Sequence, residues 1–266
     1  MDMGISGKRA VVTGADSGIG LETTKMLVAE GVRVMVTDVD LDALQKAVEQ
    51  LNVPAGSVAA IAADVTIPDD VERLHSAAVE ALGGVDILVN CAGVTGAQGM
   101  FHEIDDEGWS STIEIDLLGP VRVVRAFLPE LRANGWGRIV LAASEDAVQP
   151  YVDELPYCAA KAGILSLVKG LSKTYASEGV LVNAVSPAFI RTPMTDKMME
   201  KRADERGTDF DEAIESFLAE ERPFMELGRR GNAEEVASVI VFLCSERASF
   251  VNGSNYRVDS GSVATI

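Results

Sequence analysis

Short apolar runs alternate with longer amphipathic stretches along the whole chain. Runs of this kind, bounded by glycine, asparagine or aspartate, are typical of strands buried on both faces of a parallel sheet. They predict strands at Ala10–Val12, Val32–Val36, Ser57–Ala62, Val85–Val89, Gly137–Ala142, Val180–Val185 and Asn255–Val258. The stretches between them predict helices at Leu21–Val28, Leu41–Leu51, Pro68–Leu82, Asp105–Leu117, Pro120–Asn134, Pro156–Ser177 and Asn232–Ser245. Repeated strand–helix–strand units predict an α/β fold, with one doubly wound parallel sheet and helices on both faces.

No internal repeat, low-complexity tract or linker interrupts this alternation, so the sequence predicts a single domain over residues 1–266. One polar segment, at about 193–227, is longer than the other connections and carries several methionines and phenylalanines. Two interpretations stay open. The segment is either a pair of surface helices with solvated charged faces, or a lid that closes over a ligand at the carboxyl ends of the strands.

A glycine-rich run, Thr13–Gly20, follows the first predicted strand and precedes the first predicted helix. Within it, Gly14 permits a tight turn, Gly18 lets backbone approach a pyrophosphate, and Gly20 lets the helix pack closely. The helix N-terminus would then present N–H groups and a positive dipole end to the phosphates. Three glycines in eight residues can also form a simple turn, and that alternative stays open on the run alone.

An acidic residue, Asp38, ends the second predicted strand, eighteen positions after Gly20. At such a position a carboxylate accepts hydrogen bonds from the adenosine ribose of a dinucleotide. The alternative is that Asp38 caps the following helix, a role that Asp40 fits equally well. Taken together, the glycine run and Asp38 favour a dinucleotide-binding site.

The composition excludes several classes of function. A formal net charge of −18 disfavours nonspecific binding to nucleic acid or to an anionic membrane surface. No apolar run reaches the roughly 18 residues of a membrane-spanning helix, and Met1–Lys8 has no apolar signal core. Three widely spaced cysteines favour reduced thiols and a cytoplasmic location. With only His75 and His102 in the chain, neither a metal cluster nor a histidine-based triad is expected.

Tyr157 and Lys161 are four positions apart in a predicted helix, so they share one face. A phenol with a pKa of about 10 is a poor base at neutral pH. A neighbouring ammonium and a cationic nicotinamide both favour the phenolate and therefore lower that pKa. The pair predicts an acid/base centre, and the alternative is a surface tyrosine that stacks on a lysine stem.

Ser144 lies thirteen positions before Tyr157, just after the fifth predicted strand. Its hydroxyl is placed to hold a carbonyl or alcohol oxygen against Tyr157. Ser144 and the glycine run both follow strands at the carboxyl end, where open sheets bind ligands. Glu145 and Asp146 come directly after Ser144, and we expect them to be solvated at the rim of the site rather than to face a polar or cationic group.

These motifs together resemble the short-chain dehydrogenase/reductase family, from one end of the chain to the other. The matching residues, in chain order, are Thr13–Gly20, Asp64, Val65, Asn90–Gly93, Ser144, Tyr157–Lys161, Asn183, Pro187, Thr192, Val258 and Asp259. The resemblance implies a Rossmann fold, hydride transfer between a nicotinamide cofactor and an alcohol/ketone pair, and a homotetramer.

The same resemblance implies roles for individual residues. Tyr157 is the acid/base, Ser144 holds the substrate oxygen, and Lys161 binds the nicotinamide ribose. The implied cofactor contacts are Gly14, Asp16, Ser17, Gly18, Ile19, Gly20, Asp38, Asp64, Val65, Asn90, Ala92, Gly93, Tyr157, Lys161, Pro187, Ile190 and Thr192. Because Asp38 would sit against a 2′-phosphate, the predicted cofactor is NAD rather than NADP.

The chain departs from the family's usual pattern most clearly at Asp116, where the family usually has a catalytic asparagine. That asparagine helps to hold a water in a proton relay beside the lysine. Aspartate and asparagine have nearly the same shape, so we expect Asp116 to keep this role and count it among the catalytic residues.

The sequence therefore predicts an NAD-dependent alcohol dehydrogenase or ketone reductase that acts on a small, largely apolar substrate. The residues expected to line the substrate pocket are Val94, Thr95, Gln149, Tyr151, Phe189, Met194 and Met198. Two alternatives stay open. One is an NADPH-dependent 3-oxoacyl reductase, and the other is a nicotinamide-binding regulatory protein that has lost turnover, which Asp116 alone supports.

Overall fold

Nine strands and nine α-helices follow one another in the computed structural model, which describes residues 2–265. The strands are β1 (Arg9–Thr13), β2 (Arg33–Asp38), β3 (Val58–Ala62), β4 (Ile87–Asn90), β5 (Gly137–Ala142), β6 (Val180–Pro187), β7 (Ile190–Arg191), β8 (Gly231–Asn232) and β9 (Asn255–Val258). The helices are α1 (Gly18–Ala29), α2 (Leu41–Gln50), α3 (Pro68–Leu82), α4 (Asp106–Ile113), α5 (Gly119–Ala133), α6 (Leu155–Tyr175), α7 (Pro193–Arg206), α8 (Phe210–Glu221) and α9 (Ala233–Leu243).

Seven of the strands form one parallel sheet in the order β3–β2–β1–β4–β5–β6–β9. The chain runs outward from β1 to β3, returns to the centre, and continues from β4 to the opposite edge. This reversal leaves a crevice at the carboxyl ends of β1 and β4, where the connections diverge to opposite faces. The doubly wound α/β fold predicted from the sequence is confirmed.

Each face of the sheet carries its own apolar core, because successive strand residues point to opposite faces. In β1, Val11 packs into the core formed with α3, α5 and α6, where Phe127 and Ile164 are fully buried. Ala10 and Val12 pack into the opposite core, with α1, α2 and α9. The continuous apolar runs of the sequence are therefore strands covered by helices on both sides.

The ends of several helices follow the sequence closely. Gly31 lies just after α1 with φ of 82°, the left-handed conformation expected of a residue that ends a helix. Asp40 caps α2 by accepting a hydrogen bond from the backbone N–H of Ala43. Asp38 therefore does not cap this helix, which removes the alternative interpretation of that carboxylate. The helix predicted over 105–117 is divided, since α4 ends at Ile113 and a π-helical turn covers Glu114–Leu118.

The polar segment at 193–227 contains the two helices α7 and α8. They are joined through a small apolar core of their own, formed by Phe189, Met199, Phe217 and Met225. The strands β7 and β8 lie on either side of this segment and pair in parallel with each other. We call residues 193–227 the helical insert. Within the described part of the chain, no helix is long and apolar enough to cross a membrane.

Candidate active site

A cleft of about 480 Å³ runs along the carboxyl ends of β1, β4, β5 and β6. One end is formed by the glycine-rich turn after β1, and the other by Ser144, Tyr157 and Lys161. The remaining predicted site residues that line it are Asp16, Ser17, Ile19, Asp38, Val65, Ala92, Gly93, Val94, Asp116, Pro187, Ile190, Thr192 and Met194. The fold thus gathers motifs from the whole chain into one cleft at the crevice of the sheet.

The glycine-rich turn is packed so closely that side chains are excluded from it. Gly14 has φ of 67°, and a Cβ there would lie 2.5 Å from the backbone nitrogen of Ala92. A Cβ on Gly20 would lie 2.0 Å from the carbonyl oxygen of Gly14. Among the described residues, no side chain caps the N-terminus of α1, so its first N–H groups remain open to a ligand. This geometry fits a pyrophosphate held by backbone amides.

The far end of the glycine turn is acidic. The Asp38 carboxylate accepts hydrogen bonds from the backbone N–H of Val39 at 2.8 Å and of Asp16 at 3.5 Å. Burial raises the pKa of Asp38, and repulsion from the Asp16 carboxylate acts in the same direction. Among the described residues that line the cleft, the only cationic side chain is Lys161, which lies at the opposite end. The end near Asp38 therefore suits a neutral hydroxylated group better than an anion.

Ser144, Tyr157 and Lys161 meet at the other end of the cleft. Ser144 caps the turn that follows β5, and its Oγ accepts a hydrogen bond from the N–H of Asp146 at 3.2 Å. Its hydroxyl is also within hydrogen-bonding reach of the Tyr157 oxygen. One turn along α6, the Nζ of Lys161 lies 5.3 Å from the Tyr157 ring centroid and donates to the carbonyl oxygen of Ala142 at 3.2 Å. The predicted shared face of Tyr157 and Lys161 is confirmed.

Desolvation raises the pKa of Tyr157 well above that of a free phenol. The carboxylates of Asp146, Asp116 and Glu154 act in the same direction, while the hydrogen bond from Ser144 opposes them. The sequence predicted a lowered value, with Lys161 and a cationic nicotinamide as the causes. In the protein alone desolvation, together with the surrounding carboxylates, keeps the pKa of Tyr157 raised, contrary to the sequence prediction.

Asp116 is fully buried in the π-helical turn and forms an ion pair with Lys161, with 3.2 Å between its Oδ1 and the Nζ. The same oxygen accepts a hydrogen bond from the N–H of Val94. Its Oδ2 accepts none from the described residues. Burial raises the pKa of Asp116, and the Lys161 ammonium opposes that shift. The carboxylate therefore faces the lysine, as the sequence prediction requires.

Replacing Asp116 with asparagine is expected to move the acidic limb of the pH–rate profile for alcohol oxidation to lower pH. The carboxylate raises the pKa of Tyr157, so its loss lowers the pH at which the phenolate forms. The enzyme stays active because the shape is kept. Asp106→Asn, on the exposed first turn of α4, is the matched control and leaves the profile in place. An unchanged profile for Asp116→Asn would contradict the assignment.

Some predicted residues do not line the cleft. Thr95, Phe189 and Met198 line a smaller adjoining cavity, together with Ser144 and Tyr157. Gln149 and Tyr151 line neither cavity; Gln149 donates to the Tyr151 hydroxyl, which donates to Glu145.

Two predicted cofactor residues also lie away from the lining. The Asp64 carboxylate accepts hydrogen bonds from the N–H and hydroxyl of Thr66. The side chain of Asp64 is thus engaged in its own turn, between Ala63 and Val65, which line the cleft; its contact with a cofactor stays a prediction. Asn90 is buried, accepts from the Thr13 hydroxyl and donates to the carbonyl oxygen of Ala92. It supports the loop that contains Gly93 rather than lining the cleft.

The expectation that Glu145 and Asp146 are solvated at the rim is wrong. They are only 1% and 4% exposed, because the turn after β5 directs them beneath the helical insert. Glu154 and Arg222 join them, and neither was singled out from the sequence. The only local sequence signal for this cluster was the pair of acidic residues directly after Ser144. Arg222 is distant in the sequence and joins the cluster only through the tertiary fold.

Comparisons with known proteins extend over almost the entire chain. Residues 14–263 match the profile of the family described as Enoyl-(Acyl carrier protein) reductase. The sequence is 35% identical to cyclohexanol dehydrogenase of Acinetobacter sp., in an alignment that covers 95% of this chain and 93% of that protein. It is 33% identical to 3-oxoacyl-[acyl-carrier-protein] reductase of Thermotoga maritima, over 98% of this chain and 100% of that protein.

A solved structure shares the fold closely. L-sorbose reductase from Gluconobacter frateurii, complexed with NADPH and L-sorbose, superposes with a TM-score of 0.92 at 36% sequence identity. The match covers 100% of both chains. The sequence and structure comparisons therefore both show that this chain is similar to oxidoreductases over almost its full length.

Proposed function

Because the chain belongs to the short-chain dehydrogenase/reductase family, we propose that it is an NAD-dependent oxidoreductase that transfers a hydride between nicotinamide and a small secondary alcohol or its ketone. One observation carries the proposal: Ser144, Tyr157 and Lys161 lie at one end of a cleft whose other end is an open glycine-rich turn. A name among the relatives, cyclohexanol dehydrogenase, supports a secondary alcohol as the substrate.

Residues of the cleft would contact the dinucleotide in four places. The amides after Gly18 would hold the pyrophosphate, Asp38 would accept from the adenosine ribose hydroxyls, and Lys161 would donate to the nicotinamide ribose. The loop from Pro187 to Thr192 would contact the carboxamide end. When bound, the cofactor supplies the hydride acceptor or donor, and the protein positions it against the substrate.

The proton is transferred by side chains of the protein. During alcohol oxidation the Tyr157 phenolate takes the proton from the substrate hydroxyl, and during ketone reduction the phenol returns it. Ser144 donates a hydrogen bond to the substrate oxygen and so holds it beside Tyr157. Lys161 contributes positive charge near the phenolate, which favours the ionised form of Tyr157.

A strong preference for NAD over NADP is expected, with specificity constants that differ by at least about a hundredfold, or roughly 3 kcal/mol. Two carboxylates that line the cleft, Asp38 and Asp16, would face a 2′-phosphate, and Val39 offers no compensating charge. Steady-state oxidation with each dinucleotide at saturating alcohol measures the ratio. Asp38→Ala should narrow the ratio, while Asp42→Ala, on the exposed side of α2, should leave it unchanged. Equal constants in the wild type would contradict the cofactor proposal.

The alternative within the family is an NADPH-dependent 3-oxoacyl reductase, which the name of the Thermotoga maritima relative supports. The L-sorbose reductase structure contains NADPH, which also supports this alternative. The ratio of the specificity constants with NAD and NADP separates these two proposals. Turnover of any alcohol, followed by the absorbance of the reduced nicotinamide, excludes the third possibility, a regulatory protein without activity.

Three further features are proposed with the function. We expect a homotetramer, measurable by light scattering, and a cytoplasmic location. The helical insert is proposed as the substrate lid, because Met194 lines the cleft and Met198 and Phe217 line the adjoining cavity. Loss of solvent exposure in the insert on ligand binding, measured by hydrogen exchange, tests that role.

A further inference from the structure

A second cavity, of about 90 Å³, opens beside Ser144 and Tyr157 and continues away from the cofactor cleft. One wall is apolar and comes from Phe189 and the helical insert, with Met194, Met198 and Phe217. The opposite wall is polar and is formed by Glu145, Asp146, Glu154 and Arg222. We call these four residues the carboxyl wall. Because the cavity contains the reacting side chains, whatever fills it is attached to the carbon that exchanges the hydride.

The carboxyl wall contains hydrogen-bonding groups that the protein leaves unused. The Oε2 of Glu145 is buried and accepts no hydrogen bond from the described residues. Asp146 is only 4% exposed and lines the cavity beside Glu145. The carboxyl of Glu154 lies beside it, and the interaction between the two raises the pKa of Asp146. The Ser262 hydroxyl lies close enough to the Glu145 carboxyl to lower its pKa by hydrogen bonding. Buried polar atoms without partners cost free energy, so a ligand that donates a hydrogen bond to the Oε2 of Glu145 is stabilised there.

Arg222 places a positive charge in the same wall. Its Nε lies 3.2 Å from the Oε1 of Glu145, and one of its terminal nitrogens lies 3.8 Å from the Oε2 of Glu154. Its guanidinium also stacks on the Tyr151 ring, 3.5 Å from the centroid. These contacts fix the guanidinium within the wall. The wall therefore presents both charges, rather than a uniformly negative surface.

The proton content of the wall matters for its chemistry. Burial raises the pKa of Asp146 to about 8, and repulsion from Glu154 adds to this effect, while Arg222 opposes it. The Asp146 carboxyl therefore takes up a proton more readily than an ordinary aspartate does. Together, Asp146, Arg222 and the two carboxylates offer donors and acceptors side by side.

Three classes of substituent fit this wall poorly. An anionic group would meet the carboxylates of Glu145 and Glu154, and a cationic group would meet the fixed guanidinium of Arg222. An apolar group would leave the buried carboxyls without partners. A hydroxyl both donates and accepts one hydrogen bond, so several hydroxyls satisfy the wall without adding charge.

We propose that the carboxyl wall binds the hydroxyl groups of a neutral polyhydroxylated substrate, a polyol in oxidation or the corresponding hydroxyketone in reduction. The proposal rests on the hydride-transfer function and names the substrate class of the same site. It replaces the largely apolar substrate expected from the sequence, since the apolar residues form only one side of the cavity. Hydroxyls next to the reacting carbon reach the wall first, because Asp146 is hydrogen-bonded through its N–H to Ser144.

The test compares substrates that share a carbon chain. Xylitol, ribitol and the arabinitols are assayed with NAD against the secondary pentanols, and an amino alcohol and β-hydroxybutyrate represent the cationic and anionic classes. The ratio of kcat/KM for the best pentitol to that for the best secondary pentanol is expected to reach about a hundredfold, since a site built for hydroxyls discriminates against an analogue without them. A ratio near one, or a preference for either charged compound, overturns the proposal.

Variants then assign the ratio to the wall. Asp146→Ala and Glu145→Gln should each reduce the ratio by at least about tenfold. Because the ratio is taken within one protein, it cancels changes in folding or in the pKa of Tyr157. Glu107→Gln, an exposed carboxylate on α4, is the matched control and keeps the wild-type ratio. An unchanged ratio in both wall variants overturns the proposal.

The two levels of proposal fail differently. If no alcohol of any class is oxidised with NAD or NADP, the proposed function fails. Binding of xylitol, followed by ligand-observed NMR, still tests the wall in that case. Binding that is present in the wild type and lost in Asp146→Ala supports the wall, and absence of binding overturns it. If only the pentanols are oxidised, the proposed function stands and the wall proposal alone fails.

Discussion

Replacing Tyr157 with phenylalanine is expected to lower kcat for alcohol oxidation by about a thousandfold, within the range of general acid–base catalysis. The change removes the phenolic oxygen, which lies within reach of the Ser144 hydroxyl, and keeps the ring that packs beside Lys161. Affinity for NAD should stay close to the wild-type value, because the pyrophosphate and adenosine ends of the cleft are untouched. Steady-state kinetics and fluorescence titration with NADH measure the two quantities.

Tyr175→Phe provides the matched control in the same helix. Tyr175 lies at the end of α6, where Arg132 stacks over its ring at 5.4 Å, far from the cleft lining. Its kcat and NADH affinity should match the wild type. If Tyr157→Phe kept more than a few per cent of the wild-type rate, Tyr157 would not be the acid/base. If it lost cofactor affinity as well, the ring rather than the hydroxyl would matter.

A second large effect is expected at the glycine-rich turn. In Gly20→Ala, the added Cβ would lie 2.0 Å from the carbonyl oxygen of Gly14, closer than non-bonded atoms can approach. The turn must then shift, since the clash is with backbone rather than with a flexible side chain. We expect the free energy of unfolding to fall by about 2 kcal/mol, as for other overpacked sites. NADH affinity should fall at least about tenfold, or roughly 1.4 kcal/mol, because the displaced amides no longer fit a pyrophosphate.

Gly170→Ala makes the same substitution in another helix. Nothing lies within 4 Å of a Cβ at Gly170, and neither glycine has a positive φ. This variant should gain about 0.5–1 kcal/mol in unfolding free energy from helix propensity and bind NADH normally. Chemical denaturation and fluorescence titration of the two variants check the contrast. If Gly20→Ala were as stable as Gly170→Ala, the close packing would not constrain the turn.

Features set by local sequence could be predicted. The apolar runs identify the strands because a strand covered on both faces needs apolar residues at every position, as in Val11 and Val12. Asp40 and Asp38 could not be separated by sequence, since either carboxylate can cap a helix. The structure separates them, because the N–H of Ala43 is bonded by Asp40 while Asp38 turns into the cleft.

Features that depend on distant contacts could not be predicted. Burial of Glu145 requires the helical insert to fold over it and Arg222 to arrive from the end of α8. Nothing in the residues beside either one identifies its partner. The π-helical turn at Asp116 was also missed, because its residues are compatible with an ordinary helix. The direct ion pair with Lys161 follows from that turn and from the position of α6.

The pairing of β7 with β8 has a consequence for how such a protein can diversify. Ile190 pairs with Gly231 and Arg191 with Asn232, so the chain leaves and rejoins the sheet region at nearly the same point. The entropy of closing the intervening loop is then largely independent of what the loop contains. The helical insert between β7 and β8 can therefore be lengthened or exchanged while the strands of the main sheet keep their register. The helical insert supplies Met194, Met198, Phe217 and Arg222 to the second cavity, whereas Ser144 comes from the turn after β5 and Tyr157 and Lys161 come from α6. Part of the cavity lining can therefore change with the insert while the positions of Ser144, Tyr157 and Lys161 are kept.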